Sequence, residues 1–299
     1  MAEAHRKIAG EGWRPWAVGA GALFLAFWTL FPFYWTLKAS FMAEIDVLDS
    51  LVGMPPSLTL DNYLRVLGLS VSDSIFGGQT RAVMEGFVNS AIVALPSAAF
   101  AALIASFAGY AFGRFEFPGK NALLFTLLVS RVLPPITMLI PYFVFFSAVG
   151  MVGSLFGLGI TYLTAVVPLL SWMLMGYFAS LPIEVERAAR IDGCSRLQVL
   201  FYVTFPMAAP GIAAAFIIAF LVSWNDLLFG IVLTGGTNAQ TLSPALLGLS
   251  PLMPGFRTEL VLFAAASILS TVPPLLLALV FQRFITGLNI SDPVTTGGD

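Results

Sequence analysis

Charge is what this chain most lacks. Only 10% of its 299 residues are Asp, Glu, Lys or Arg, against roughly 25% in a soluble domain. No charged residue occurs from Val132 to Ile183, and none from Leu197 to Asn225. A water-soluble globule is excluded by such runs. The single cysteine, Cys194, excludes an intrachain disulfide, and the single histidine, His5, leaves no Cys/His cluster for a metal. A phosphate-binding loop is missing as well. Its nearest approach, Gly113 to Lys120, has five residues between the glycines instead of four, and Asn121 stands where Ser or Thr is needed. No nucleophile elbow, HExxH string or paired-acid constellation occurs, so the chain carries no catalytic residues, binds no cofactor of its own and does not read as an enzyme.

Hydrophobic residues make up 58% of the chain, and its mean hydropathy is +0.91. A helix needs about 20 apolar residues to cross the hydrocarbon layer. Six segments qualify: 16–37, 87–112, 121–147, 155–180, 207–233 and 260–282. They are continuously apolar, whereas a membrane barrel alternates apolar and polar residues in shorter segments. The expected fold is therefore all-α, a polytopic membrane protein with six transmembrane helices in a single domain spanning 1–299. Lys and Arg collect on the cytoplasmic side. An N-in, C-in arrangement puts Arg6, Lys7, Arg14, Arg114, Lys120, Arg187, Arg190, Arg196 and Arg283 there, and leaves Lys38, Arg65, Arg81 and Arg257 outside. The first span is too long for a signal-peptide core and no A-x-A site follows it, so it reads as an uncleaved anchor.

Residues 38–86 form the largest hydrophilic segment, an outer loop with a turn at Pro55 and Pro56. It reads as a plain connection or as a docking surface for an external partner. Residues 148–154 and 234–258 are further outer connections, with Arg257 and Glu259 at the outer mouth, and the tail ISDPVTTGGD reads as disordered. Prolines at 32, 96, 134, 135, 141, 168, 273 and 274 fall within spans. Each removes a backbone donor and can kink its helix, although proline is also simply common in membrane helices.

One charged island interrupts the apolar runs: Leu181 to Pro206, LPIEVERAARIDGCSRLQVLFYVTFP. Pro182 suits the first turn of a helix, and Glu184 and Glu186 follow where the helix dipole favours acids. Residues 183–191 should be helical, with Glu186 and Arg190 placed to pair four residues apart and Ala188 and Ala189 leaving room for close approach. Gly193 supplies a left-handed stop. Ser195 and Gln198 make a capping box for a second helix, whose Leu197, Leu200, Phe201 and Phe205 share one stripe, and Pro206 closes the unit. Two readings compete: an interfacial amphipathic linker that touches membrane lipid, or a docking element for a cytoplasmic protein. Three acids against three bases weaken the lipid account.

The string R-A-A-x3-G-x9-V-x-F-P, from Arg187 to Pro206, resembles the EAA loop, EAA-x3-G-x9-I-x-LP, of permease subunits of binding-protein-dependent ABC importers. Ala188, Ala189, Gly193 and Pro206 match outright; Arg187 replaces the acid of the triplet. The segments WTLKASF (35–41), PPSLTLDNYLRVL (55–67), FVNS (87–90), GYAFGRFEFPGK (109–120), RVLPPITMLIPYF (131–143), SWNDLLFGIVLT (223–234) and FQRFITGL (281–288) are similar to the carbohydrate-uptake branch, its maltose-permease G-like subunits.

The resemblance implies a permease subunit that moves a sugar or related polyol across the cytoplasmic (inner) membrane of a prokaryote by alternating access. Its implied partners are a second homologous permease, two ATPase subunits carrying ATP and Mg, and an external substrate-binding protein; no nucleic acid is among them. It implies a cytoplasmic helix-turn-helix coupling loop at 181–206 that docks the ATPase through Glu184, Glu186, Arg187, Ala188, Ala189, Arg190, Asp192, Gly193 and Ser195.

A substrate pathway has four candidate residues. Arg131 falls inside the third span, where a charge is costly and must face protein, water or substrate; a structural contact to a neighbouring helix is the alternative. Trp224, Asn225 and Asp226 combine an aromatic face with polar groups, which suits a sugar. They could instead be a membrane-interface belt with Asp226 paired to Arg131 or to a partner. Rival functions are an ion-coupled secondary carrier, which would need intramembrane ion-coupling groups and often inverted repeats, and a non-transporting membrane scaffold.

Overall fold

A computed structural model describes residues 14–43, 46, 57–69, 77–249 and 260–286. The N-terminal bases Arg6 and Lys7, the outer residues Arg257 and Glu259 and the tail lie outside these. In chain order the helices are α1 (Arg14–Ser40), α2 (Asp61–Val66), α3 (Gly77–Arg114), α4 (Lys120–Val129), α5 (Pro135–Ala148), α6 (Leu155–Ser180), α7 (Ile183–Ile191) and α8 (Arg196–Val199). A π-helical turn (Leu200–Thr204) then leads into α9 (Phe205–Trp224), followed by α10 (Leu228–Thr234), α11 (Leu242–Gly248) and α12 (Leu260–Thr286). Among the described residues there is no strand, and five helices are long and apolar enough to cross a membrane.

The helices run differently from the expected third and fifth spans. Segment 121–147 is not one helix: it splits into α4 and α5 around Ser130–Pro134. Pro134 is extended at φ −60°, ψ 135°, and Pro135 opens α5. A proline restricts its predecessor to extended backbone, so the Pro-Pro pair forces the break. Segment 207–233 starts earlier and stops sooner, as a continuous membrane-length helix from Arg196 to Trp224. Pro206 does not close the preceding unit; it sits in the first turn of α9, where its missing N–H costs little.

The chain divides into two compact units, residues 1–72 with 249–269 and residues 73–248 with 270–299. In the first, the LTLDNYL segment folds α2 back on the end of α1. Asn62 is buried and donates from Nδ2 to the carbonyls of Ser40 (3.0 Å) and Met42 (2.9 Å), while the Ser40 and Tyr63 hydroxyls meet at 2.6 Å. Met42 packs on Val261. Residues Trp16 to Tyr34 of α1 are exposed.

In the second unit α3 and α6 lie side by side. Ala94, Ala98, Ala101, Ala102 and Ala105 of α3 are buried, as are Leu158, Val166, Leu170, Leu174 and Phe178 of α6. Small residues let membrane helices approach closely. At Gly109 the approach is so near that a Cβ would meet the Leu174 Cβ at 2.7 Å and the Met175 amide at 3.0 Å. This tight pair is the base from which both candidate sites project.

Candidate functional site

The charged island is a helix, a glycine stop and a second helix. Pro182 caps α7 from outside with extended backbone, φ −64° and ψ 117°. Gly193 takes φ +93°, a conformation that costs an L-residue about 1–2 kcal/mol. Its N–H donates to the Arg190 carbonyl (3.2 Å) and the Cys194 N–H to the Ala189 carbonyl (3.1 Å), a complete Schellman stop. Both halves of the capping box form: the Ser195 N–H donates to Gln198 Oε1 at 2.8 Å and the Gln198 N–H to Ser195 Oγ at 3.3 Å.

Glu186 does not pair with Arg190. It turns inward to the last turn of α3, where Arg114 Nε donates to its Oε1 at 3.0 Å and the Tyr110 hydroxyl lies 3.4 Å from its Oε2. Arg114 also donates from Nη2 to the Leu181 carbonyl at 2.9 Å. The two side chains are only 7% and 11% exposed, so this is a buried ion pair fastening the loop to the α3–α6 pair. The acid that the sequence placed on the docking face is therefore an internal anchor. Nothing in the sequence joins Arg114 to a residue 72 positions away.

The apolar stripe also shifts. Val199 and Leu200 are buried, whereas Leu197 and Phe201 are 67% and 49% exposed. A π-helical turn follows, whose i to i+5 spacing sets Thr204 against Val199, and the Val199 carbonyl accepts from Thr204 Oγ1 at 3.3 Å. Exposed on the loop are Glu184, Arg187, Ala188, Arg190, Asp192, Gly193 and Ser195, with Ala189 half-buried and Ile191 86% exposed. A charged rim around projecting apolar side chains is the composition of a protein contact surface.

The second candidate region is where the two helix breaks meet α6. Arg131 stands exposed at the α4–α5 break and donates from Nη1 to the Ala165 carbonyl of α6 at 2.5 Å. Beside it on α6, the Thr164 hydroxyl meets that of Tyr142 at 2.6 Å. At the α9–α10 break, Asp226 Oδ2 accepts from the Tyr162 hydroxyl at 3.2 Å and from the Gly230 N–H at 2.9 Å, which satisfies an orphan donor of the new helix. Asn225 is exposed and donates to the Leu221 carbonyl at 2.8 Å.

Arg131 and Asp226 thus hold separate partners rather than each other. Trp224 is 3% exposed, stacked on Phe220 and edge-on to Phe87, with Nε1 donating to the Ser270 carbonyl at 3.1 Å. The ring is buried in protein packing, which leaves no face for a sugar in this conformation. Tyr142, Tyr162 and Thr164 escaped the sequence reading. A polar cluster Thr161, Tyr162, Thr164 inside an otherwise apolar span was the available signal.

Membrane-length apolar helices, an interrupted apolar segment and an exposed helix-glycine-helix loop define a polytopic membrane component. Residues 105–286 match the family described as binding-protein-dependent transport system inner membrane component, and the chain belongs to that family. It is a multi-span permease subunit of an ABC importer. It is 32% identical over 267 residues to the trehalose/maltose transport system permease protein MalG of Thermococcus litoralis, covering 89% of this chain and 91% of that protein. It is 31% identical over 263 residues to the trehalose transport system permease protein SugB of Mycobacterium tuberculosis, covering 88% and 91%. Its fold is similar to a chain in the crystal structure of a bacterial ABC transporter that imports the acidic polysaccharide alginate, with a TM-score of 0.73, 19% identity and coverage of 93% of this chain and 99% of that one.

Proposed function

We propose that this permease carries a sugar or related polyol across the inner membrane of a prokaryote, energised by two ATPase subunits that dock on the loop 181–206. Relatives whose names print trehalose or maltose support the sugar class. The observation that carries the coupling role is the rigid loop itself: a double-capped helix pair pinned by Arg114–Glu186, with Arg187, Arg190, Ile191 and Leu197 turned out. A pinned loop transmits force to α3 and α6, whereas a free amphipathic linker would not.

In this reading six segments cross the membrane with both ends inside. The third crossing is made by α4 and α5 together, since each alone is too short. Non-helical backbone is tolerated at membrane depth where it lines protein or a cavity, and interrupted helices mark substrate sites in other transporters. Arg131, Tyr142 and Thr164 therefore line the proposed pathway, with Asp226 and Trp224 as its scaffold. A second permease completes the pathway, an external binding protein delivers the substrate, and ATP and Mg act on the ATPase subunits. Closure of the ATPases moves the paired loops together and a rigid-body rotation opens the pathway outward.

Co-expression with the ATPase, second permease and binding protein, followed by reconstitution into liposomes, tests this. ATP-dependent uptake of a radiolabelled disaccharide is expected, and is lost when any subunit is omitted. Uptake by the chain alone, driven by an ion gradient, would refute it.

A further inference from the structure

Between the end of α3 and the loop lies a cleft of about 170 Å³, lined among others by Tyr110, Arg114, Glu186, Arg187, Arg190 and Arg196. Its charge is lopsided. Four guanidinium groups surround one carboxylate, and that carboxylate is spent on Arg114. Among the described residues, the side chains of Arg187, Arg190 and Arg196 make no ion pair or hydrogen bond. The remaining acids of the loop, Glu184 and Asp192, are exposed and are not among the groups lining the cleft. Three uncompensated arginines converging on a recess of side-chain size form a receptor for a single anionic group, because guanidinium binds carboxylate or phosphate through paired donors.

We propose that this cleft receives an acidic side chain, Asp or Glu, presented by the ATPase subunit, so that the electrostatic contact at position 187 runs from a base on the permease to an acid on the ATPase. This rests on the coupling role assigned to the loop above. A protein carboxylate is favoured over a lipid headgroup by the charge of the whole segment. With Glu186 held by Arg114, the exposed acids Glu184 and Asp192 offset two of the three free bases, and the remaining single positive charge falls well short of the roughly 4–8 clustered bases that hold an anionic bilayer surface. One carboxylate inserted among Arg187, Arg190 and Arg196 meets positive charge locally. Ile191 and Leu197, next in sequence to the lining Arg190 and Arg196, are exposed and supply the apolar part of a protein contact.

The test uses the full chain co-expressed with its ATPase, with affinity measured in detergent. Arg187→Glu and Arg190→Glu are expected to weaken ATPase binding at least about 30-fold, the scale of reversing one desolvated interfacial charge. Arg187→Lys keeps the charge and should bind within a few-fold of the parent. In that lysine variant, carbodiimide treatment should join the new amine to one Asp or Glu of the ATPase, identified by mass spectrometry. Changing that acid to Arg should restore binding to Arg187→Glu.

Parent-like binding by both Glu variants would overturn the proposal, as would cross-links confined to the permease's own acids. A defect seen only in vesicles containing phosphatidylglycerol, with detergent binding unchanged, would assign the cleft to lipid and also overturn it. If the parent chain fails to bind the ATPase at all, the coupling role falls, and the proposal with it. Unfolding in detergent checks that the variants retain the parent fold.

Discussion

Replacing Glu186 by Gln should detach the loop from α3 without changing its shape. The substitution is isosteric, so it removes the charge that faces Arg114 at 3.0 Å while leaving a neutral acceptor in place. Breaking a buried ion pair by removing one partner costs about 3–5 kcal/mol, because the other charge stays buried. Two features bring this pair to or below the low end of that range: Arg114 retains the Leu181 carbonyl at 2.9 Å, and the adjoining cleft of about 170 Å³ admits water. A loss of about 2–3 kcal/mol is expected in equilibrium unfolding in mixed detergent micelles.

The cycle of Glu186→Gln, Arg114→Gln and the double variant should return a coupling energy of about 1–3 kcal/mol. In the reconstituted importer, Glu186→Gln should still bind the ATPase but show ATP hydrolysis that no longer responds to loaded binding protein. A coupling energy below about 0.5 kcal/mol, the ordinary error of additivity, would refute the anchoring argument. So would full transport by a variant with the expected stability loss.

Gly193→Ala and Gly193→Trp carry the same left-handed backbone penalty of about 1–2 kcal/mol, and a Cβ at this position meets no atom within 4 Å of it. Both should therefore insert and unfold alike, while only Gly193→Trp abolishes ATP-driven uptake; parent-like uptake by it would remove Gly193 from the docking face. Gly109→Val should destabilise by about 1–3 kcal/mol, the cost of overpacking, since its Cβ alone would lie 2.9 Å from the Leu174 backbone. Trp224→Phe should lose about 1 kcal/mol with the Ser270 hydrogen bond and leave the KM for uptake unchanged; a raised KM with unchanged stability would return Trp224 to the substrate surface. Asp226→Ala should cost about 1–2 kcal/mol as the α10 cap is lost, with Asp226→Asn closer to the parent because it keeps an acceptor for the Gly230 N–H.

Local signals in the sequence carried through where the physics is local. The glycine stop, the Ser195–Gln198 box and the bounds of α6 depend on a few adjacent residues, and each forms as the spacing implies. The interrupted spans were hidden because hydropathy counts apolar side chains and is blind to backbone angles. Across Ser130–Pro134 the polar Ser130 and Arg131 read as a single charge within a span, and only the Pro-Pro pair marks a turn there. The end of α9 carried a polar Asn225–Asp226 pair that reads equally as ligand or as cap. Glu186 misled for another reason. A helical pair four residues apart is worth only about 0.2–0.5 kcal/mol, and a buried partner from a distant helix outweighs it easily. Trp224 was ambiguous because one residue type serves cores, membrane interfaces and sugar surfaces alike.

The departure at Arg187 follows from how the loop is built. Its shape is set by the Pro182 entry, the Schellman bonds at Gly193 and Cys194, the capping box and the Arg114–Glu186 pair. None of these uses the side chain of Arg187, which is exposed. The charge at 187 can therefore invert without altering the geometry presented to a partner. The acid that fixes the loop is Glu186, and it sits on the opposite side of α7 from solvent, so it is not available to replace the missing acid of the EAA triplet outward. Shape and surface charge are thus separable here. A partner fitted to the same backbone but carrying a base opposite position 187 would be repelled, while one carrying an acid would be held, and one side chain suffices to discriminate between the two.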